Sequence, residues 1–118
     1  MSKKPVTPQE LYDMLRPLQE KKGFYFNHEE DMTWPLLEQL LVTKERFGYM
    51  ACPCRLANGD YQKDRDIICP CAYRADDVAE FGLCYCGLYV NAVWNEEGKT
   101  FRPIPDRRPP GNIDVQGL

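Results

Sequence analysis

Residues 52–86 read CPCRLANGDYQKDRDIICPCAYRADDVAEFGLCYC, and all six cysteines of the 118-residue chain lie in this window. They form three pairs, Cys52-Pro53-Cys54, Cys69-Pro70-Cys71 and Cys84-Tyr85-Cys86, separated by fourteen and twelve residues. A disulfide scaffold spreads its cysteines to staple distant loops, so crowding into one third of the chain signals a metal or redox centre instead. Proline fixes its own φ and pushes the residue before it toward extended backbone, so the two thiols of a Cys-Pro-Cys pair tend to diverge. A structural zinc ion draws two thiolates of one motif onto a single centre and uses a wider spacing, whereas each iron of a cubane cluster needs one thiolate. The motifs therefore suit an iron–sulfur cluster better than zinc. A four-iron cluster takes four thiolates, which leaves two of the six cysteines for disulfide chemistry. Spacing alone does not say which four bind iron.

Outward from this window, the N-terminal half reads as helical. Thr7-Pro8-Gln9-Glu10 combines a capping threonine, a proline at the first helical position and a glutamate able to close a capping box. A helix is expected from about Thr7 to about Lys22, with Leu11, Met14, Leu15 and Leu18 turned to the core, Pro17 bending it or ending it early, and Gly23 as terminator. A second helix is expected from near Thr33-Trp34-Pro35 to about Arg46, with Leu37, Leu40 and Leu41 inward and Gly48 as its stop. Between the cysteine pairs, Asp60 to Asp66 and Tyr73 to Phe81 suit short helices, the latter ended by Gly82. Leu88 to Trp94 is rich in β-branched and aromatic residues, which predicts an extended segment or a hairpin turning through Asn95-Glu96-Glu97-Gly98. From Arg102 onward, Pro103, Pro105, Pro109, Pro110 and Gly111 exclude regular structure and predict an extended tail.

Composition narrows the class. The length supports one domain, residues 1–118, with its core over about 7–94 and a tail over 95–118, and a core of that size would be helped by a bound cofactor. Fifteen Lys and Arg against eighteen Asp and Glu give a net charge of −3, without the basic excess that general nucleic-acid binding requires. The richest aliphatic segment, Leu36 to Val42, is too short and too polar to span a bilayer, and Met1 to Pro5 has no apolar stretch behind it. A cytoplasmic protein is expected.

The order C-P-C-R, C-P-C and C-aromatic-C, followed by Gly87-Leu88-Tyr89, resembles the catalytic (beta) subunit of ferredoxin:thioredoxin reductase, in particular its prokaryotic ferredoxin-dependent disulfide reductase branch. Gly23-Phe24-Tyr25-Phe26, the Leu36-to-Leu41 helix and Phe47-Gly48-Tyr49 extend the resemblance, which covers roughly residues 10–92. It implies a mainly α, small single domain of short helices folded around a [4Fe-4S] cluster. It also implies that Cys52, Cys69, Cys71 and Cys84 are the cluster ligands and that Cys54 and Cys86 form the active-site disulfide. Ferredoxin would then deliver electrons one at a time, and Cys54 would attack the disulfide of thioredoxin or a thioredoxin-like target while the Cys86 sulfur interacts with the cluster. The plant-type enzyme adds a small variable subunit; this chain resembles the catalytic subunit only. The competing reading is a non-enzymatic cysteine-rich interaction module holding zinc or a structural cluster.

Several residues carry two readings. Arg55 is placed to lower the Cys54 pKa if its side chain lies near that sulfur, and is otherwise a surface or partner-binding cation. Tyr85 stands where the plant-type pattern has a histidine credited with proton handling, and an ordinary tyrosine pKa near ~10 makes it a poor proton exchanger at neutral pH. His28, the only histidine, is expected to be structural. Trp34, Phe47, Tyr49 and Tyr89 are expected to pack in the core rather than line the cluster. The basic pairs Lys21 and Lys22, Lys44 and Arg46, Lys63 and Arg65, and Arg107 and Arg108 are read as solvated surface rather than as a ferredoxin dock.

Overall fold

A computed structural model describes residues 6–112. It is small and mostly helical: α1 (Pro8–Glu20), β1 (Tyr25–Phe26), α2 (Glu30–Phe47), α3 (Tyr61–Asp64), α4 (Arg74–Phe81), β2 (Tyr89–Val90) and α5 (Ala92–Glu96). The start of α1 is as expected, with Thr7 accepting from the Glu10 backbone and the Glu10 side chain returning to the Thr7 backbone. Its body differs. The helix continues through Pro17 to Glu20, and Met14 and Leu18 are 56% and 58% exposed. Tyr12 decides this rotation, because its ring stacks on Phe26 at 4.7 Å and meets Trp34 at 5.1 Å. That turns Leu11, Tyr12, Leu15 and Gln19 to the interior.

α2 starts a turn earlier than Thr33 and encloses Pro35; the Thr33 hydroxyl is spent on the Asn27 carbonyl (2.7 Å) rather than on a cap. Leu37 and Leu40 are completely buried, Leu41 packs beside them, and Gly48 closes the helix with φ +89°. Each such leucine contributes roughly 1.5–3 kcal/mol by leaving water. α3 runs into a 3-10 turn over Arg65–Ile67, and α4 ends at Gly82, also left-handed at φ +89°.

The segment after Leu88 departs from the hairpin expectation. β2 pairs antiparallel with β1, Tyr25 opposite Val90 and Phe26 opposite Tyr89, rather than with the residues that follow it. Those residues form α5, because the Asn91 side chain caps the Trp94 N–H at 2.8 Å and diverts the chain into a helical turn. Beyond α5 the described chain has only a 3-10 turn at Pro110–Asn112. Ile104 is buried there with Leu83, Val90 and Trp94 in a second apolar cluster.

Arg107 and Arg108 are not solvated surface. The Arg108 side chain is 1% exposed and donates to Asp66 (3.0 Å from Nε), to the Leu56 and Lys63 carbonyls, and toward Asp64. Arg107 pairs with the fully buried Asp77 at 2.6 Å and with Glu80. Carboxylates far upstream, invisible to local patterning, draw both cations in. Met1 to Pro5 and residues 113–118 lie outside the described residues. No described helix is long and apolar enough to cross a membrane.

Candidate functional site

Backbone pairing around each cysteine motif gathers the three. The Cys52 N–H donates to Ile67 O (2.8 Å) and the Cys69 N–H to Met50 O (2.7 Å), flanking an antiparallel bridge between Ala51 and Ile68 that sets the first two motifs side by side. The third is a tight turn against β2, with Gly87 N–H on Cys84 O (2.9 Å) and Cys84 N–H on Tyr89 O (2.9 Å). Asn27, at the end of β1, locks that turn by donating its amide to Gly87 O at 2.9 Å. The Cys69–Pro70 peptide bond is cis.

Cys52, Cys69, Cys71, Cys84 and Cys86 line one tight cavity together with Arg55, Arg74, Tyr85 and Tyr89, with a water-accessible volume of about 10 Å³. Cys54 does not line it; it is the exposed cysteine, while Cys52, Cys84 and Cys86 are buried and Cys69 and Cys71 partly so. No disulfide joins any two of the six. Among the described residues, no group of three or more His, Cys, Asp or Glu is arranged to hold a metal ion.

Electrostatics separate the six sulfurs. Cys86 is pushed well above the ordinary thiol range because its S–H is shared with the sulfurs of Cys52, Cys54 and Cys84 while it is buried. The recipients go the other way. Cys84, 3.8 Å from the Cys86 sulfur, is lowered to about 7 by that thiol, against its burial, with support from backbone N–H groups including Tyr89 N at 3.3 Å. Cys54 is lowered chiefly by the Cys86 thiol, as is Cys52. Burial raises Cys69 and Cys71.

Arg55 is not a surface cation, since its side chain is 1% exposed. It points less at its neighbour Cys54 than at two other thiols: Nη1 lies 3.3 Å from Cys71 Sγ and 3.9 Å from Cys52 Sγ, and Nε donates to Asp106 at 2.9 Å. Its guanidinium carbon lies 4.5 Å from the Tyr85 ring centroid and 5.2 Å from that of Tyr73. Burial opposes its charge, yet the Cys71 and Cys52 sulfurs and Asp106 hold it protonated. Tyr85 is half-buried with its hydroxyl pKa raised, first by burial and then by Asp106.

Two residues at or beside the cavity carried no sequence signal, and a third was expected elsewhere. Arg74 is buried, bonds Gln19 of α1 at 2.5 Å and stacks on Phe24 at 3.8 Å and Tyr89 at 4.7 Å. Asp106 reaches the site from the C-terminal segment. Tyr89, expected as core packing, lines the cavity as well as stacking on Phe26 at 5.2 Å. Trp34, Phe47 and Tyr49 do pack on the core. His28 braces the surface, its ring on Lys99 O at 2.7 Å.

Compared with known families, residues 7–103 match the model of the ferredoxin thioredoxin reductase catalytic beta chain. The chain belongs to this family. It is therefore an oxidoreductase chain of the ferredoxin thioredoxin reductase type, and the resemblance carried by the cysteine motifs holds over most of its length. A comparison with curated proteins returns no match. The family match spans all three cysteine motifs and stops short of Asp106, Arg107 and Arg108.

Proposed function

We propose that this chain reduces the disulfide of thioredoxin or a thioredoxin-like protein at Cys54, using electrons from ferredoxin. The observation that carries the reading is the asymmetry of the six thiols: five line one cavity, while Cys54 alone is exposed, with its pKa held down by the Cys86 thiol. An attacking cysteine has to be both reachable and partly thiolate.

Cys54 Sγ⁻ attacks one sulfur of the target disulfide, forming a mixed disulfide and releasing the target's other sulfur as a thiolate, which takes a proton. Cys86, having lost its own proton, then attacks Cys54 Sγ, so that the Cys54–Cys86 bond forms and the second target thiol leaves. The target gains two electrons and two protons. Two successive electrons from ferredoxin and two protons restore the Cys54 and Cys86 thiols. Cys86 suits both halves because it lines the cavity and shares its proton with Cys54.

On this reading Cys52, Cys69, Cys71 and Cys84 are the residues that would hold a [4Fe-4S] cluster at the cavity. Its lining offers thiol sulfurs spread around a space, two guanidinium groups and no carboxylate, which is the donor chemistry of an anionic iron–sulfur group. When bound, the cluster supplies one-electron transfer. Arg55 and Arg74 counter negative charge at the sulfurs, and the buried aromatic walls exclude water.

The test mixes reduced ferredoxin, this protein and oxidised thioredoxin under anaerobic conditions and counts target thiols. A gain of two thiols per target is expected with the native chain, none with Cys54→Ser, and a trapped mixed disulfide with Cys86→Ser. No gain over a control lacking the protein refutes the activity. A colourless, zinc-loaded protein would favour the interaction-module reading instead.

A further inference from the structure

Two residues that line the cavity each carry a buried hydrogen-bond donor with no protein partner. Arg55 Nη2 and Tyr89 Oη are buried and unpaired, and both residues line the cysteine cavity. Among the described residues two other buried polar atoms are unpaired, the acceptor Asp77 Oδ2 and the donor Trp94 Nε1, and neither residue lines the cavity. A buried donor left unmade costs about 1–3 kcal/mol, more for a charged group. A fold that keeps two of them at one small cavity, beside several sulfurs and no carboxylate, is matched to acceptors that the cavity's occupant brings.

The rest of Arg55 is already committed. Nε is held by Asp106 at 2.9 Å, Nη1 lies on Cys71 Sγ, and the guanidinium carbon is 4.5 Å from the Tyr85 ring centroid and 5.2 Å from that of Tyr73. Asp106 is itself fixed, because its Oδ1 also accepts the Arg108 N–H at 2.9 Å and Arg108 is anchored on the buried Asp64 and the half-buried Asp66. The C-terminal segment thereby sets the orientation of a guanidinium at the sulfurs. Tyr89 is oriented independently, by its ring stack on Phe26 and by its place in β2.

We propose that Arg55 and Tyr89 donate hydrogen bonds to the sulfurs of the iron–sulfur group in this cavity and so set its reduction potential, with Asp106 as the positioning residue that orients Arg55. This rests on the reading of the cysteines given above. Reduction adds negative charge to the group, and donors and positive charge at its sulfurs stabilise that charge, so they raise the potential.

The experiment uses iron-loaded protein purified without oxygen and needs no partner. The midpoint potential is measured by redox titration, and the Fe–S stretching bands by resonance Raman in H₂O and D₂O. Tyr89→Phe and Arg55→Gln are each expected to lower the potential and to diminish the deuterium shift of the bands. Asp106→Ala separates positioning from simple charge: deleting a nearby negative charge by itself raises the potential, whereas loss of Arg55 orientation lowers it. A lowered potential supports the positioning role and a raised one overturns it. Tyr89→Phe keeps the stacked ring, so it reports even if Arg55→Gln does not fold. Unchanged potential and bands in an iron-loaded Tyr89→Phe protein overturn the role of Tyr89, and the same result in Arg55→Gln overturns that of Arg55. Protein that holds no iron overturns the cluster reading and this inference together.

Discussion

Cys54 and Gly87 stand at opposite ends of the cysteine window and constrain it differently. Cys54 is exposed and its thiolate is favoured by the Cys86 thiol, so iodoacetamide added to the native, reduced protein should label Cys54 ahead of the other five, read by peptide mass spectrometry. Cys86→Ala removes the donor and should slow that labelling at neutral pH; an unchanged rate would mean that exposure alone governs reactivity. Gly87 sits at φ +82°, where a Cβ would meet Phe101 Cδ2 at 2.8 Å and Met32 Cε at 3.0 Å. Gly87→Ala pays for both the left-handed backbone and the overlap, and should lower stability by about 2 kcal/mol or more in urea unfolding. Arg55 shows where sequence adjacency misleads: it follows Cys54 in the chain, yet its guanidinium settles on Cys71 and Cys52 because Asp106 and two aromatic rings hold it there.

At the scale of elements, the segment from Ile104 to Asn112 fastens the loop that carries Cys54. Arg108 spans Leu56 O, Lys63 O, Asp64 and Asp66, while Asp64 in turn accepts from the Asn58 and Gly59 backbone and from Tyr49 Oη at 2.5 Å. Arg108→Ala removes the counter-charge of the buried Asp64 and the half-buried Asp66, which keep their other donors, and should cost about 1–3 kcal/mol, seen as a lower urea midpoint. A change within about 0.5 kcal/mol would show that the segment merely rests on the surface. Helix starts and stops were legible where their signals are local, as with the Thr7–Glu10 box and the Gly48 and Gly82 ends. The pairing of β1 with β2 and the helical turn of α5 were not, since one needs a partner more than sixty residues away and the other turns on a single Asn91 cap.

For the whole molecule, buried carboxylates set the acid limit. Asp64 is pushed up by burial, but hydrogen bonds from Tyr49, Asn58 and Gly59 outweigh it and hold its pKa below the ordinary value. Asp66 is likewise lowered against burial, by Tyr73, Arg108 and Asn112. A carboxyl whose folded pKa lies below its unfolded value adds stability above the unfolded pKa, near ~3.9, and loses it as pH falls through the folded pKa. Asp77, raised by burial despite Arg107, opposes this trend. Thermal melts should therefore show stability falling as pH drops below about 4, with a shallower fall in Asp64→Asn; an identical slope in that variant would exclude Asp64 as a source.

By itself the sequence determined the helical character of the first half, the three dicysteine motifs and the family they carry, because caps, glycine stops and thiol spacing are written in neighbouring residues. Only the tertiary structure decided that five of the thiols face one cavity while Cys54 faces out. It alone turned Arg55 toward the second motif, and it alone drew Arg108 from the tail into the interior. The first depends on backbone pairing between distant segments and the other two on where a charge finds its counter-charge after the chain has closed on itself, and local pattern holds no record of either.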